Sequence, residues 1–130
     1  MTRDLIIDGR NVRDIPSFYA EINRVFMANE DWTLANSLDA LNDLFYGGFG
    51  AIEGREQVRL VWQDMAASRS ALGAETTRAF LEDKLLRPDV FNTTLIEEQI
   101  EALDRGVGQT YFEIVLEIIG DHPNIELVGR

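Results

Sequence analysis

The stretch NSLDALNDLFYGGFG, Asn36–Gly50, predicts a short amphipathic helix that ends in a run of glycines. Asn36 or Ser37 can cap this helix, because a side-chain oxygen at that position accepts a hydrogen bond from a free backbone N–H group. The glycines end the helix, since glycine reaches the left-handed conformation at little cost. The apolar residues that recur at helical spacing predict an inward stripe: Leu38, Leu41 and Phe45.

Two carboxylates lie four residues apart in this helix, so Asp39 and Asp43 share one face. Asn42 and Tyr46 complete a polar stripe opposite the apolar one. A carboxylate metal site would need more converging oxygen ligands, and glycosidase-type catalysis would need two carboxyl groups in contrasting environments. The pattern therefore leaves two interpretations, a solvated helix face or a surface for a cationic partner. Arginine is the natural counterpart in the second case, because it binds carboxylate in a planar fork.

The segments on either side of this helix predict an α/β fold. Three segments bounded by turn residues have the character of strands: Leu5–Ile7 is a continuous apolar run, Val58–Trp62 is apolar except for Arg59, and Ile125–Val128 is apolar except for Glu126. Helical periodicity fills the intervals, beginning with a helix at Pro16–Met27 and continuing with several helices between the second and third strands. Strands separated by helices predict a small parallel sheet covered by helices, with Val58–Trp62 central and buried. Within the long helical region, Asp89–Thr94 is expected to be an exposed loop.

Composition narrows the class of protein and of partner. The 130 residues include 23 acids and 12 bases, for a net charge of −11. Such a chain is repelled by nucleic acid and by anionic membranes, and is attracted to basic protein surfaces. The chain has no cysteine, which excludes disulfides and thiolate metal sites. With no recognisable signal peptide and no apolar stretch long enough to span a membrane, the sequence predicts a cytoplasmic protein.

The sequence lacks the residue sets that enzymes and nucleotide-binding proteins use. It contains neither a phosphate-binding loop of the G-x-x-x-x-G-K-[ST] type nor a G-x-G-x-x-G motif after a strand. The single histidine, His122, lies in a polar turn between Asp121 and Pro123, where a surface position is expected. Because no nucleophile and base can be paired, we expect a protein that is not an enzyme and that has no cofactor and no metal.

The motif SLDALNDLFYGGFG, preceded by the acidic and aromatic NEDW, resembles the signature of the barstar family of intracellular inhibitors of barnase-type ribonucleases. The segment LIIDGRNVRDIPSFYAEINRVF resembles the first strand and helix of that family. VRLVW resembles its second strand, and FEIVLEIIGDHPNIELV resembles its last helix and strand. The resemblance implies a three-stranded parallel sheet packed with helices in a single domain, 1–130. The region at about 74–107 is longer than the family core requires and is expected to be a helical insertion.

The resemblance also implies a function, in which the second helix and the loop before it block the active site of a basic ribonuclease. Asp39 and Asp43 match the family aspartates that meet basic groups of the nuclease, and Glu117 is the best match to a glutamate on the last helix. The complete set of expected partner-binding residues is Asp31, Trp32, Asn36, Asp39, Asn42, Asp43, Tyr46 and Glu117.

An alternative is a barstar-fold acidic module that binds a protein other than a nuclease. The loop from Trp32 to Ser37 differs from the aromatic and glycine-rich loop of the family, so the identity of the partner stays open. In this alternative the acid-rich segment from Glu75 to Asp104 forms a second surface.

Overall fold

The computed structural model describes residues 2–130, which form one three-stranded sheet, six α-helices and a single 3-10 turn. The predicted α/β class is confirmed, and so are the three parallel strands. In chain order the elements are β1 (Arg3–Asp8), the 3-10 turn (Gly9–Asn11), α1 (Ile15–Phe26), α2 (Leu38–Phe45), β2 (Val58–Gln63), α3 (Met65–Ala71), α4 (Ala74–Leu85), α5 (Thr93–Asp104), α6 (Tyr111–Gly120) and β3 (Ile125–Gly129).

The strand order is β1-β2-β3, so β2 is central as its apolar run predicts. Leu60 of β2 lies between Leu5 and Leu127 in register; Leu5 and Leu60 belong to the helix-covered core, and half-buried Leu127 packs against it. Trp62 is at the centre of this core. The ring of Phe18 from α1 stacks on it at 5.9 Å between centroids, and the ring of Phe112 from α6 meets it edge-on at 5.4 Å.

Helices cover one face of this sheet, and most side chains on the other face are exposed or half-buried. Ile6 is on that second face and remains 45% exposed. Arg59 bonds the carboxylate of Asp4 across β1 and β2, from Nε at 2.9 Å and from Nη2 at 2.8 Å. Val61 is buried there but lies outside the main core cluster. The expected cover of helices is therefore present on one face. Only alternate residues of β1 are buried, Leu5 and Ile7, and alternate residues of a strand point to the same face.

Four helix starts are fixed by side-chain caps, among them that of α5, where Asn92 Oδ1 accepts from the N–H of Leu95 at 3.2 Å. Asp14 and Ser17 form a reciprocal capping box at the start of α1, each accepting from the backbone N–H of the other at 2.9 Å. Ser37, one of the two caps expected from the sequence, accepts from the N–H of Ala40 and begins α2. Thr110 and Glu113 form the equivalent box of α6. These caps place the helix ends at fixed points around the sheet.

The region at 74–107 contains α4 and α5, which pack against each other around a small cluster of their own. Its buried members are Leu81, Ile96 and Leu103. Phe80 joins this cluster to the main core, and its ring meets the ring of Tyr111 edge-on at 5.2 Å. The expected loop at 89–94 is exposed for the most part, with its last two residues already in α5. A single domain that carries a helical insertion stays a prediction.

Candidate functional site

The solvent-facing side of α2 contains the two carboxylates that the sequence singled out. Asp39 and Asp43 are both exposed, one turn apart, and Tyr46 follows at the end of the helix with 63% of its surface exposed. The opposite side is fully buried at Leu41, Leu44 and Phe45, while Leu38 is half-buried. Leu44 was absent from the predicted stripe although it has helical spacing with Leu41.

The fourth member of the polar stripe, Asn42, points toward His122 and is half-buried. Its Oδ1 lies 2.8 Å from Nε2 of His122, which follows α6. Because an amide oxygen only accepts, Nε2 carries the proton and donates. The expectation that His122 is a surface residue is wrong: it is 4% exposed, and its ring meets the rings of Tyr46 and Phe45 edge-on at 4.7 and 5.8 Å.

The burial of His122 has an electrostatic consequence. Burial lowers the pKa of the ring, and the nearby carboxylate of Asp121 opposes this only in part. The imidazole is therefore neutral at pH 7, where it holds the C-terminal half of α2 as a hydrogen-bond donor. An open pocket of about 260 Å³ lies beside it, between Tyr46 and Arg55. Sequence reasoning missed this role because the turn around His122 is polar and the helix that buries it is 80 residues away.

The loop before α2 is held by the side chain of Asn23 from α1. The backbone N–H of Leu34 donates to Asn23 Oδ1 at 2.7 Å, and Asn23 Nδ2 donates to the Leu34 carbonyl at 3.4 Å. Leu34 is buried, whereas Trp32 remains 46% exposed and packs its ring against Phe49 at 5.0 Å between centroids. Asn23 was not among the expected site residues; an asparagine within a helix, where its propensity is low, is the signal that could have indicated it.

The glycine run after α2 forms the turn that the sequence predicts, and it also supports Trp32 through Phe49. Gly47 has a φ of +84°, and its carbonyl accepts from the N–H of Gly54 at 2.8 Å. A Cβ at Gly47 would lie 2.1 Å from the Gly54 carbonyl oxygen. A residue with a side chain is therefore excluded at Gly47 by both the conformation and the close approach.

The remaining expected residues are distributed over two places. Asp31 and Asn36 are exposed in the loop that leads into α2, on the same segment as Trp32. Glu117 is exposed on α6, where its Oε2 accepts from Nε2 of Gln109 at 2.6 Å. No hydrogen bond or ion pair within residues 2–130 joins Glu117 to α2, so its part in one surface with Asp39 and Asp43 stays a prediction.

The carboxylates of this surface have no cationic partner in the part of the chain that the structure describes. Across residues 2–130, the ion pairs use other acids, and none includes Asp31, Asp39 or Asp43. In the same part of the chain, no group of three or more potential ligands converges as a metal site would require. The helices described there are all too short or too polar to cross a membrane. We define the acidic face as Asp31, Trp32, Asn36, Asp39, Asn42, Asp43 and Tyr46.

A family model described as Barstar (barnase inhibitor) matches residues 2–84, which is more than half of the chain. The matched segment contains the whole acidic face and ends at Lys84, in the last turn of α4, so Glu117 lies outside it. No curated protein matches the chain at a significant level.

Proposed function

The chain belongs to the Barstar (barnase inhibitor) family, and from that premise we propose that it inhibits a basic ribonuclease by docking the acidic face into the active site of the enzyme. The family gives the coarse function, binding of a ribonuclease. The proposal adds the docking surface and the basic character of the partner.

The observation that carries the proposal is the pair of exposed aspartates on α2 without an internal cation. Within residues 2–130 several other acids form ion pairs, whereas Asp39 and Asp43 form none, and their helix is fixed on its other side by fully buried residues. Like charges at i and i+4 weaken an isolated helix by roughly 0.2–0.5 kcal/mol. A cation of a partner that lies near both carboxylates outweighs this repulsion by its attraction to each of them.

The chemistry of ribonucleases explains why such a surface fits. A nuclease that binds the phosphates of RNA presents a basic site. Carboxylates at helical spacing take the place of phosphates there, and the net charge of −11 increases the rate of encounter with a basic protein. The support of Trp32 by Phe49, and of Asn42 by His122, keeps the face in one arrangement before binding, which reduces the entropy lost on association.

A charge-matched pair of variants tests the proposal against a purified basic ribonuclease of the barnase type. Asp43→Asn removes one carboxylate from the face, and Glu98→Gln removes one from the exposed side of α5, where Glu98 has no ion pair within residues 2–130. Both variants change the net charge equally, so long-range attraction falls by a similar amount. Only Asp43→Asn leaves buried cations of the nuclease unpaired, which costs about 2 kcal/mol or more, or about 30-fold in Kd.

The assays are inhibition of RNA cleavage and titration calorimetry at two salt concentrations. We expect the wild-type protein to inhibit RNA cleavage with an affinity that falls steeply as salt increases. Asp43→Asn should lose most of this affinity, and Glu98→Gln should not. No inhibition by the wild-type protein, or equal affinity of the two variants, would refute the docking surface.

A second candidate function, an acidic module for a partner that is not a nuclease, is favoured by the apolar residues exposed on the α4–α5 region. They are Leu86, Val90, Leu95 and Val107, each more than half exposed. This second function would be supported by a partner whose affinity for the chain is unchanged by Asp43→Asn and falls with Leu86→Ser.

A further inference from the structure

The α4–α5 region brings two cations to the edge of the acidic face. A cleft of about 440 Å³ separates the N-terminal end of α2 from the C-terminal end of α4. Ser37 and Asp39 line one wall, and Lys84 and Arg87 line the other. The amphipathic pattern of α2 gives no sign of these cations, because they come from residues more than 40 positions later in the chain.

Aromatic rings fix both cations on their wall of the cleft. Nζ of Lys84 lies 4.3 Å from the ring centre of Phe80 and 5.2 Å from that of Phe91. Cζ of Arg87 lies 4.9 Å from the ring centre of Phe91, on the same side of the cleft. Such contacts attract a cation to the face of a ring without neutralising its charge. Both cations therefore have defined positions on this wall of the cleft.

Lys84 has no carboxylate partner within residues 2–130. Within residues 2–130, no ion pair or side-chain hydrogen bond includes Lys84, and neither it nor Arg87 pairs with Asp39 across the cleft. Arg87 bonds the exposed carboxylate of Asp83 at 3.1 Å. Burial lowers the pKa of Lys84, and the positive charge of Arg87 adds to this effect. An ammonium group in this environment gains from an anion that enters the cleft.

We propose that the cleft receives a carboxylate of the protein partner, which contacts Lys84 and Arg87 while a neighbouring cation of the partner contacts Asp39. The inference rests on the proposed function and narrows it: among basic ribonucleases, the chain selects one whose basic site is bordered by an acidic side chain. A basic protein without that carboxylate meets two like charges at the same place and is disfavoured.

The direction in which replacement of Lys84 changes the Kd for the nuclease separates this inference from a simpler view. If Lys84 were only a cation at the rim of an acidic surface, its removal would strengthen binding of a basic protein, because one repulsion disappears. If Lys84 holds a partner carboxylate, its removal weakens binding although the chain becomes more acidic. The two views predict opposite directions for the same substitution.

The experiment measures the Kd of a purified basic barnase-type ribonuclease for Lys84→Met and for a matched control, Arg105→Met. Methionine keeps the unbranched apolar stem between the rings and removes the charge. Arg105 is exposed at the end of α5 and has no ion pair within residues 2–130, so its loss changes the net charge equally away from the cleft. We expect Lys84→Met to weaken binding about fivefold or more, and Arg105→Met to leave it unchanged or slightly stronger.

Tighter or equal binding by Lys84→Met overturns the inference. Thermal unfolding checks that α4 remains folded, and Arg87→Gln, at an exposed position, gives the same test if Lys84→Met is unstable. Double-mutant cycles that pair Lys84→Met with alanine substitutions of the acids bordering the nuclease site locate the partner carboxylate. The absence of coupling with every one of these acids also overturns the inference. If the wild-type chain binds no such nuclease, or if Asp43→Asn has no effect, the proposed function itself fails. Weaker binding by Asp43→Asn together with tighter binding by Lys84→Met refutes the proposed role of the cleft and leaves the proposed function intact.

Discussion

Replacing Glu21 with glutamine should destabilise the protein, because this buried carboxylate joins α1 to the end of β1. Glu21 is 3% exposed and accepts four hydrogen bonds. The backbone N–H of Asp8 donates at 2.7 Å, Asn11 Nδ2 at 3.1 Å, and Arg24 through Nε at 2.8 Å and Nη2 at 2.6 Å. Glutamine keeps one acceptor oxygen but removes the charge, and it introduces an NH2 group where four donors already converge.

The size of the effect follows from these contacts. Arg24 is 57% exposed and can return to water, so its share is small. The amide of Asp8 and the side chain of Asn11 are left with a poorer acceptor, and hydrogen bonds to a charged group are worth about 1.5–3 kcal/mol. We expect a loss of about 2 kcal/mol in the free energy of unfolding. For 130 residues the entropy of unfolding is about 270 cal/mol/K, so the midpoint should fall by about 7 °C at pH 7.

The pH dependence gives an independent check. Burial acts to raise the pKa of Glu21, but the bonds from Arg24, Asp8 and Asn11 outweigh it, and the pKa lies below its ordinary value of 4.5. The charged form therefore contributes stability above about pH 4.5, and this contribution is lost as the pH falls through the lower pKa of the folded state. The calorimetric midpoints of the wild type and Glu21→Gln should converge in that range. The control Glu97→Gln, on the exposed side of α5, should have the midpoint of the wild type both at pH 7 and in acid. An equal midpoint at pH 7, or a gap that widens in acid, would refute this account.

Two further substitutions test the support of the acidic face. His122→Phe keeps a buried ring beside Tyr46 but removes the bond to Asn42, so urea unfolding should show a loss of about 1 kcal/mol, and an unchanged midpoint would contradict a structural role for that bond. Gly47→Ala should cost about 2 kcal/mol or more, because alanine meets both the left-handed conformation and the Gly54 carbonyl. Gly48→Ala is its control, since a Cβ there has no neighbour within 4 Å and should shift the midpoint very little; equal effects of the two would show that the turn is not tightly packed.

The sequence by itself determined the features that depend on neighbours along the chain. The period of apolar residues predicts α2, with a cap at Asn36 or Ser37 and a stop at Gly47 and Gly48, because caps, periodicity and left-handed turns are local properties. The structure selects Ser37 as the cap. The apolar run of β2, interrupted only by Arg59, likewise predicts a central strand. The spacing of Asp39 and Asp43 fixes their common face for the same reason, since residues four apart on a helix are neighbours.

The tertiary structure alone decided which side chains meet across long intervals. His122 is buried because α2 lies over the turn that contains it, and Asn23 holds the loop of Trp32 through a contact between segments that no period links. The open face of the sheet is visible only once the strands are in register, when Ile6 and Arg59 fall on the same side. Lys84 faces the cleft next to Asp39 because α4 and α5 pack together and dock through Phe80, and the packing of one helix pair against another has no local signal in the sequence.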